Sequence, residues 1–131
     1  MNIIEAVNAF LLTKYTPYAP IRQNAFQAEG VDEIITRIEP SNAEEARYLS
    51  GTRAGVLIFS YIAKSRDQEK AMHELTEYKK ILDGANVGDF SDGNFNKMDV
   101  ITEPQFLGKT EHGEYTFSFS VSVDYTYTKG E

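Results

Sequence analysis

Apolar residues along this chain alternate between two spacings, and each change of spacing marks an element. Ile3, Ile4, Ala6, Val7, Phe10 and Leu11 recur at i, i+3, i+4 and i+7, the stripe of an amphipathic helix. Asn2 with Glu5 three residues on resembles a capping box, so the helix is predicted over residues 2–14. Pro17 ends it, because proline disfavours helical backbone in the residue before it and has no N–H to donate. Pro20 keeps the next residues irregular.

Residues 31–39 (VDEIITRIE) mix β-branched and charged side chains in rough alternation, predicting a strand near a sheet edge that Pro40 closes. Ser41 to Glu44 has capping-box spacing and opens either a short helix through Leu49 or a connecting loop. Residues 53–64 contain VLIFSYIA, apolar on both faces, which predicts a central strand covered on both sides. A helix over 66–82 follows, capped by Ser65 with Gln68, its stripe formed by Ala71, Met72, Leu75, Tyr78, Ile81 and Leu82, with Gly84 as the left-handed stop. Residues 85–96 form a Gly/Asn/Asp loop that carries Phe90 and Phe95. Residues 98–107 predict a strand that Pro104 assigns to an edge or a bulge. Glu111 to Glu114 make a turn, and from Tyr115 to Tyr127 every odd position but one pair of small apolar valines is aromatic, with Ser, Thr and Asp between. That period of two predicts one long strand with a greasy and a hydroxyl-rich face, the latter standing in solvent or against another subunit or a channel.

The order α-β-β-α-β-β gives a single α+β domain over 1–131: a mainly antiparallel or mixed sheet with two helices packed on one face. Its 131 residues suffice for a core without staples, and the absence of Cys excludes a disulfide scaffold, thiol chemistry and Cys-based metal sites. A formal charge of −7 argues against general attraction to nucleic acid. No apolar run approaches a membrane span and the first residues lack a basic leader, so a soluble protein made without a signal is expected.

Candidate chemistry is sparse. The two histidines, His73 on the charged helix and His112 in the Glu-His-Gly-Glu turn, read as exposed surface groups. Glu111, His112 and Glu114 are adjacent on a turn and converge poorly on a metal. The Asp/Asn loop fits no EF-hand register: counting back from Gly93 places Gly88 and Phe90 at ligand positions, and from Gly88 it places Ala85 and Val87 there. No phosphate-binding glycine pattern occurs. The aromatic residues of the last strand face the helices, so they read as core rather than base-stacking platforms. A non-enzymatic protein without metal or cofactor is expected.

The stretch from Arg47-Tyr48-Leu49 through Gly55-Val56-Leu57-Ile58-Phe59-Ser60-Tyr61-Ile62-Ala63-Lys64-Ser65-Arg66-Asp67 and its following helix resembles the minor capsid or tail-terminator proteins of long-tailed bacteriophages and prophages. So do Ile101-Thr102-Glu103-Pro104-Gln105-Phe106 and the strand to Tyr127. The resemblance implies a virion protein at the head–tail junction, assembled in the host cytoplasm as a hexameric ring. Such a ring caps the tail tube, ends its polymerisation and docks the head connector protein, while DNA passes through the lumen unbound. An acidic lumen suits that passage. Phe90 and Phe95 are expected as loop anchors against a tail or head protein, and Arg47 and Arg53 as charge partners of a neighbouring subunit. A head–tail stopper or adaptor, and a small ligand-binding α+β module, are the competing readings; an enzyme comes third.

Overall fold

The computed structural model describes residues 3–26, 31–39, 46–47, 52–88 and 93–128. In chain order the elements are α1 (Ile3–Lys14), β1 (Ile21–Gln23), β2 (Glu33–Ile38), β3 (Ala46–Arg47), β4 (Thr52–Ser65), α2 (Gln68–Leu82), β5 (Asn94–Val100), β6 (Gln105–Lys109) and β7 (Tyr115–Thr128). The α+β architecture expected from the periodicities is the one observed: the described residues place seven strands in one sheet of order β1-β2-β4-β7-β5, with β3 beside β4 and β6 beside β7.

A continuous antiparallel pair forms the spine of the sheet: β4 and β7 stay in register from Thr52 opposite Thr128 to Ser65 opposite Tyr115. Each is flanked on its outer side by a strand in two pieces. Along β4 lie β2, opposite residues 59–64, and β3, opposite residues 53–54. Along β7 lie β5, opposite residues 121–126, and β6, opposite residues 115–118. Pro104 sits in the gap between β5 and β6, and register shifts at Phe95/Lys97 and Phe106/Gly108 add bulges, so both the edge and the bulge read from that proline are present.

Ile21–Gln23 form a short parallel strand on β2, so β2 lies one position in from the edge. Asn94 and Phe95 belong to β5, which shortens the expected loop: Phe95 is a half-buried strand residue packed against the core rather than a loop residue. Phe90 and the capping-box segment at Ser41 lie outside the described residues. Asp67, two residues later than expected, caps α2 by accepting from the Lys70 N–H, while Ser65 Oγ accepts from the Asp67 N–H. Gly84 adopts the left-handed conformation, φ +72°, that stops the helix.

Both helices lie on the sheet face formed by Phe59, Tyr61, Ala63, Phe117, Phe119, Val121 and Val123. From α1 come Ile3, Ile4, Val7 and Leu11, and from α2 Ala71, Leu75, Tyr78 and Leu82. The Tyr61 ring stacks on Phe119 and meets Tyr78 edge-on, which makes the centre of the core aromatic. Phe117 and Phe119 are therefore core side chains, with Tyr115 and Tyr125 packed half-buried against them.

Strands of 14 residues run about 45 Å, whereas the 15-residue α2 covers about 22 Å, so the Thr52 end of the spine extends past the helix layer. There the Tyr125 ring lies on Gly55, and a Cβ at that position would meet the ring at 2.8 Å. Gly55→Val is expected to force the ring aside and cost about 1–3 kcal/mol, read as a lower denaturant midpoint at unchanged slope.

Candidate functional site

Four residues carried the sequence-based expectations of partner binding, and the structure does not bring them together. Arg47 and Arg53 are Cα partners across the β3–β4 pair, with side chains outside the described residues. Phe95 faces the core and Phe90 is not described. His73, on α2, and His112, in the turn before β7, are both exposed; the His112 carbonyl accepts from Arg66 Nε at 3.2 Å.

Among the described residues the polar chemistry lies instead in three buried or half-buried clusters. On the sheet face away from the helices, Lys64 Nζ of β4 sits 2.9 Å from Glu33 Oε1 of β2 and 2.9 Å from Glu114 Oε2 ahead of β7. All three residues are buried, and the Phe26 ring caps the ammonium at 4.7 Å. Glu114 is held in turn by Thr110 Oγ1, which donates to Oε1 at 2.9 Å. Burial alone would lower the Lys64 pKa, but the two carboxylates outweigh it and raise it. The triad joins three separate strands' worth of chain, and its desolvation is offset by charge pairing and hydrogen bonds.

A second cluster lies four rungs along the same face. The Glu39 carboxylate accepts from Ser60 Oγ and, at 3.0 Å, from Ser120 Oγ, while the Ser120 N–H donates to Thr102 Oγ1 at 2.7 Å. Ser60, Ser118 and Ser120 are buried, so this part of the hydroxyl face is covered by the chain itself, neither in solvent nor against a neighbour. A serine between a carboxylate and another serine could suggest a nucleophile. Here both hydroxyls are engaged and closed to a substrate, with the described histidines on other elements, so the cluster works as a cross-link between β2, β4 and β7.

The third cluster ties the helix layer together. Buried Glu74 on α2 accepts from Tyr78 Oη at 2.7 Å, from Tyr15 Oη at 3.1 Å and from the Tyr18 N–H at 3.1 Å, and Tyr18 Oη donates to the Lys64 carbonyl at 3.0 Å. Burial, then the Glu74 carboxylate, pushes the Tyr78 and Tyr15 pKa values up. Tyr61 is raised by burial and donates to Asn8 Oδ1 at 2.6 Å. Across the same rim, Asp32 Oδ2 meets Lys70 Nζ at 2.6 Å. Burial would raise the Asp32 pKa, but Lys70 and Ser65 hold it below the ordinary value. A depressed folded pKa stabilises above the unfolded pKa of about 3.9, and that stabilisation fades as pH falls through the folded value. Asp32→Asn is expected to lower stability by up to about 1 kcal/mol at pH 7, with the difference from wild type vanishing in acid; paired urea titrations across pH read it.

Among the described residues no group of three His, Asp or Glu is placed to hold a metal ion, and no helix is long and apolar enough to cross a membrane. The remaining conspicuous surface is apolar: Leu12, Val31, Ile38, Met72, Ile101, Phe106 and Leu107 are large side chains left exposed. Fold and surface together define an α+β protein with one helix-covered sheet and several exposed apolar side chains among the described residues.

No family model matches the chain, and no curated protein matches it. Among solved structures, a chain from the virion of native gene transfer agent (GTA) particle shares its fold, with a TM-score of 0.56 and 11% identity over 92% of this chain and 84% of that one.

Proposed function

We propose that this protein is a structural subunit of a phage-like particle, a tail terminator that forms a hexameric ring, caps the tail tube and joins it to the head. The observation that carries the reading is the fold shared with a chain of a gene transfer agent virion over 92% of the length. The sequence resemblance in the strand-Lys-Ser-Arg-Asp-helix junction points the same way. On this reading the molecule is not catalytic: its buried carboxylates serve as cross-links, and its exposed apolar side chains serve assembly. A chain of charge −7 suits a ring through which DNA slides, since carboxylates repel phosphate and leave nothing to hold it.

The test is the mass in solution, with electron micrographs of the protein alone and mixed with tail tube protein. The expected result is a ring with a central hole and tubes of fixed length capped by it. Rings that ignore tube ends and bind the head connector instead would assign the protein to the stoppers. A chain that is monomeric alone and leaves tube growth unchanged would end the proposal.

A further inference from the structure

Lys64 follows the apolar run of β4, and a buried ion pair at such a place is no more stabilising than apolar side chains of similar volume. Packing alone gives no reason for an amine there. Two features separate it from the other described lysines that pair with carboxylates. The side chains of Lys64, Glu33 and Glu114 are only 4%, 7% and 2% exposed, whereas those of Lys70, Lys79, Lys80 and Lys97 are 28–66% exposed. Lys64 Nζ also meets two carboxylates at 2.9 Å each, while the two that face Lys97 stand off at 3.7 and 3.8 Å.

A buried amine in contact with two carboxyl groups has the parts of an amide-forming site: one carboxyl to be attacked and one to carry protons. Water opposes condensation, because it solvates the charged reactants and hydrolyses the product, and burial withholds it here. An amine hydrogen-bonded to a carboxyl oxygen also lies close to the near-attack separation of about 3–3.5 Å from the carbon of that group. We infer that Lys64 condenses with the side-chain carboxyl of Glu33 to form an isopeptide bond between β4 and β2, with Glu114 as the proton carrier.

The step balances within the cluster. A proton passes from Lys64 Nζ to Glu33 Oε1 along their hydrogen bond, leaving an amine and a carboxylic acid. This transfer conserves net charge and replaces two buried charges by two neutral groups with a smaller desolvation cost. The nitrogen lone pair then forms the bond to Glu33 Cδ, the carbonyl π pair moves onto oxygen, and the nitrogen gives a second proton to Glu114 Oε2. As the carbonyl re-forms, the C–OH bond breaks and Glu114 passes its proton to the departing hydroxyl. One amide and one water result, and Glu114 ends as the carboxylate it was. The roles follow from how each carboxyl is held. Glu33 is the Cα partner of Lys64, so the new bond closes one rung of the sheet. Glu114 is fixed by Thr110, whose Oγ1 donates to Glu114 Oε1 at 2.9 Å and accepts from the Glu114 N–H at 3.1 Å, with Oε2 at the amine. The Phe26 ring, 4.7 Å from Nζ, shields the amine. The ion-paired chain is the reactant, each molecule reacts once with itself, and the inference is independent of the ring reading.

Intact-mass spectrometry of the full chain, sampled from minutes to weeks after folding, tests it. The expected result is a gradual loss of the mass of one water, with peptide mapping finding a branched peptide that joins Lys64 to Glu33. The chain held in concentrated urea and the folded Lys64→Arg variant, whose guanidinium is a poor nucleophile, should both keep full mass. Glu114→Gln should slow the loss by about 100-fold or more. Should circular dichroism show Glu114→Gln misfolded, Thr110→Val, which releases Glu114 Oε1, takes its place and is expected to slow the reaction in the same direction. A folded wild-type chain that keeps full mass throughout would overturn the inference. So would a water loss that persists in Lys64→Arg and maps to an Asp-Gly pair such as Asp83-Gly84, the mark of a succinimide. A branch to Glu114 would overturn the assignment of Glu33 as the group attacked.

Discussion

Replacing Lys64 by alanine is expected to destabilise the protein by about 3–5 kcal/mol, because it leaves the buried carboxylates of Glu33 and Glu114 facing each other without their ammonium. For a domain whose whole stability is of order 5–15 kcal/mol, much of the chain would unfold at growth temperature. The loss should exceed what the missing methylenes explain, and the pattern of rescue shows it. Lys64→Met alone should be nearly as damaging as Lys64→Ala, whereas Lys64→Met with Glu33→Leu and Glu114→Leu should recover most of the stability by exchanging a charged cluster for an apolar one. Urea unfolding followed by tyrosine fluorescence gives the midpoints. The opposite pattern, with Lys64→Met tolerated, would show that the alkyl stem beneath Phe26 matters more than the charge. The raised Lys64 pKa fixes the sign of the pH effect: its contribution is complete below the unfolded lysine value of about 10.4 and disappears as pH rises through the folded value.

Glu74→Leu is expected to cost about 2–5 kcal/mol. It deprives Tyr78 Oη, Tyr15 Oη and the Tyr18 N–H of their common acceptor, and Tyr78 Oη lies deep enough that water replaces it poorly. Glu74→Gln keeps one carbonyl oxygen and should recover roughly half of the loss. The effect should concentrate in the connection between α1 and β1. Amide exchange in residues 15–23 should rise before that of β4 and β7, because the carboxylate fastens this connection to α2. Exchange that rises uniformly would mean that Glu74 supports the whole core.

The two long strands and both helices were legible because their periodicity is long and unbroken: Tyr115 to Tyr127 in steps of two, and α2 in steps of three and four. Shorter or polar pieces were not. β1 has three residues beside Pro20 and exists because β2 offers it a parallel partner. Asn94 and Phe95 carry turn-forming composition, and pairing with Thr126 and Tyr125 overrides it. The cap of α2 moved from Ser65 to Asp67 because both have the right chemistry, and Ser65 is consumed by the Asp67 N–H. Of the buried clusters, Lys64 did leave a signal, since a charge in a strand apolar on both faces requires a partner. Which partners it takes was not legible, because Glu33 and Glu114 are 31 residues before and 50 after it and meet it only through sheet register. The exposure of Met72 was hidden in the same way: it read as part of the apolar stripe of α2, and the tertiary arrangement leaves it outward.

The spine of the sheet governs how the chain must be made. β4 finds its long neighbour only in β7, whose matching residues follow it by 50 positions at Ser65–Tyr115 and by 76 at Thr52–Thr128. Until residues 115–128 leave the ribosome, β5 and β6 have no strand to pair with and the aromatic face of β4 has half its cover. Closure is therefore a late, single event of high contact order, slow beside helix formation. Before it, the nascent chain offers the β4 edge to any strand within reach, including another copy's β7. Stalling synthesis ahead of Tyr115 should yield a species that captures the free strand of β7 supplied in trans, so the chain comes to possess a closed sheet, and to withdraw β4 from competing strands, only when its last described strand is in place.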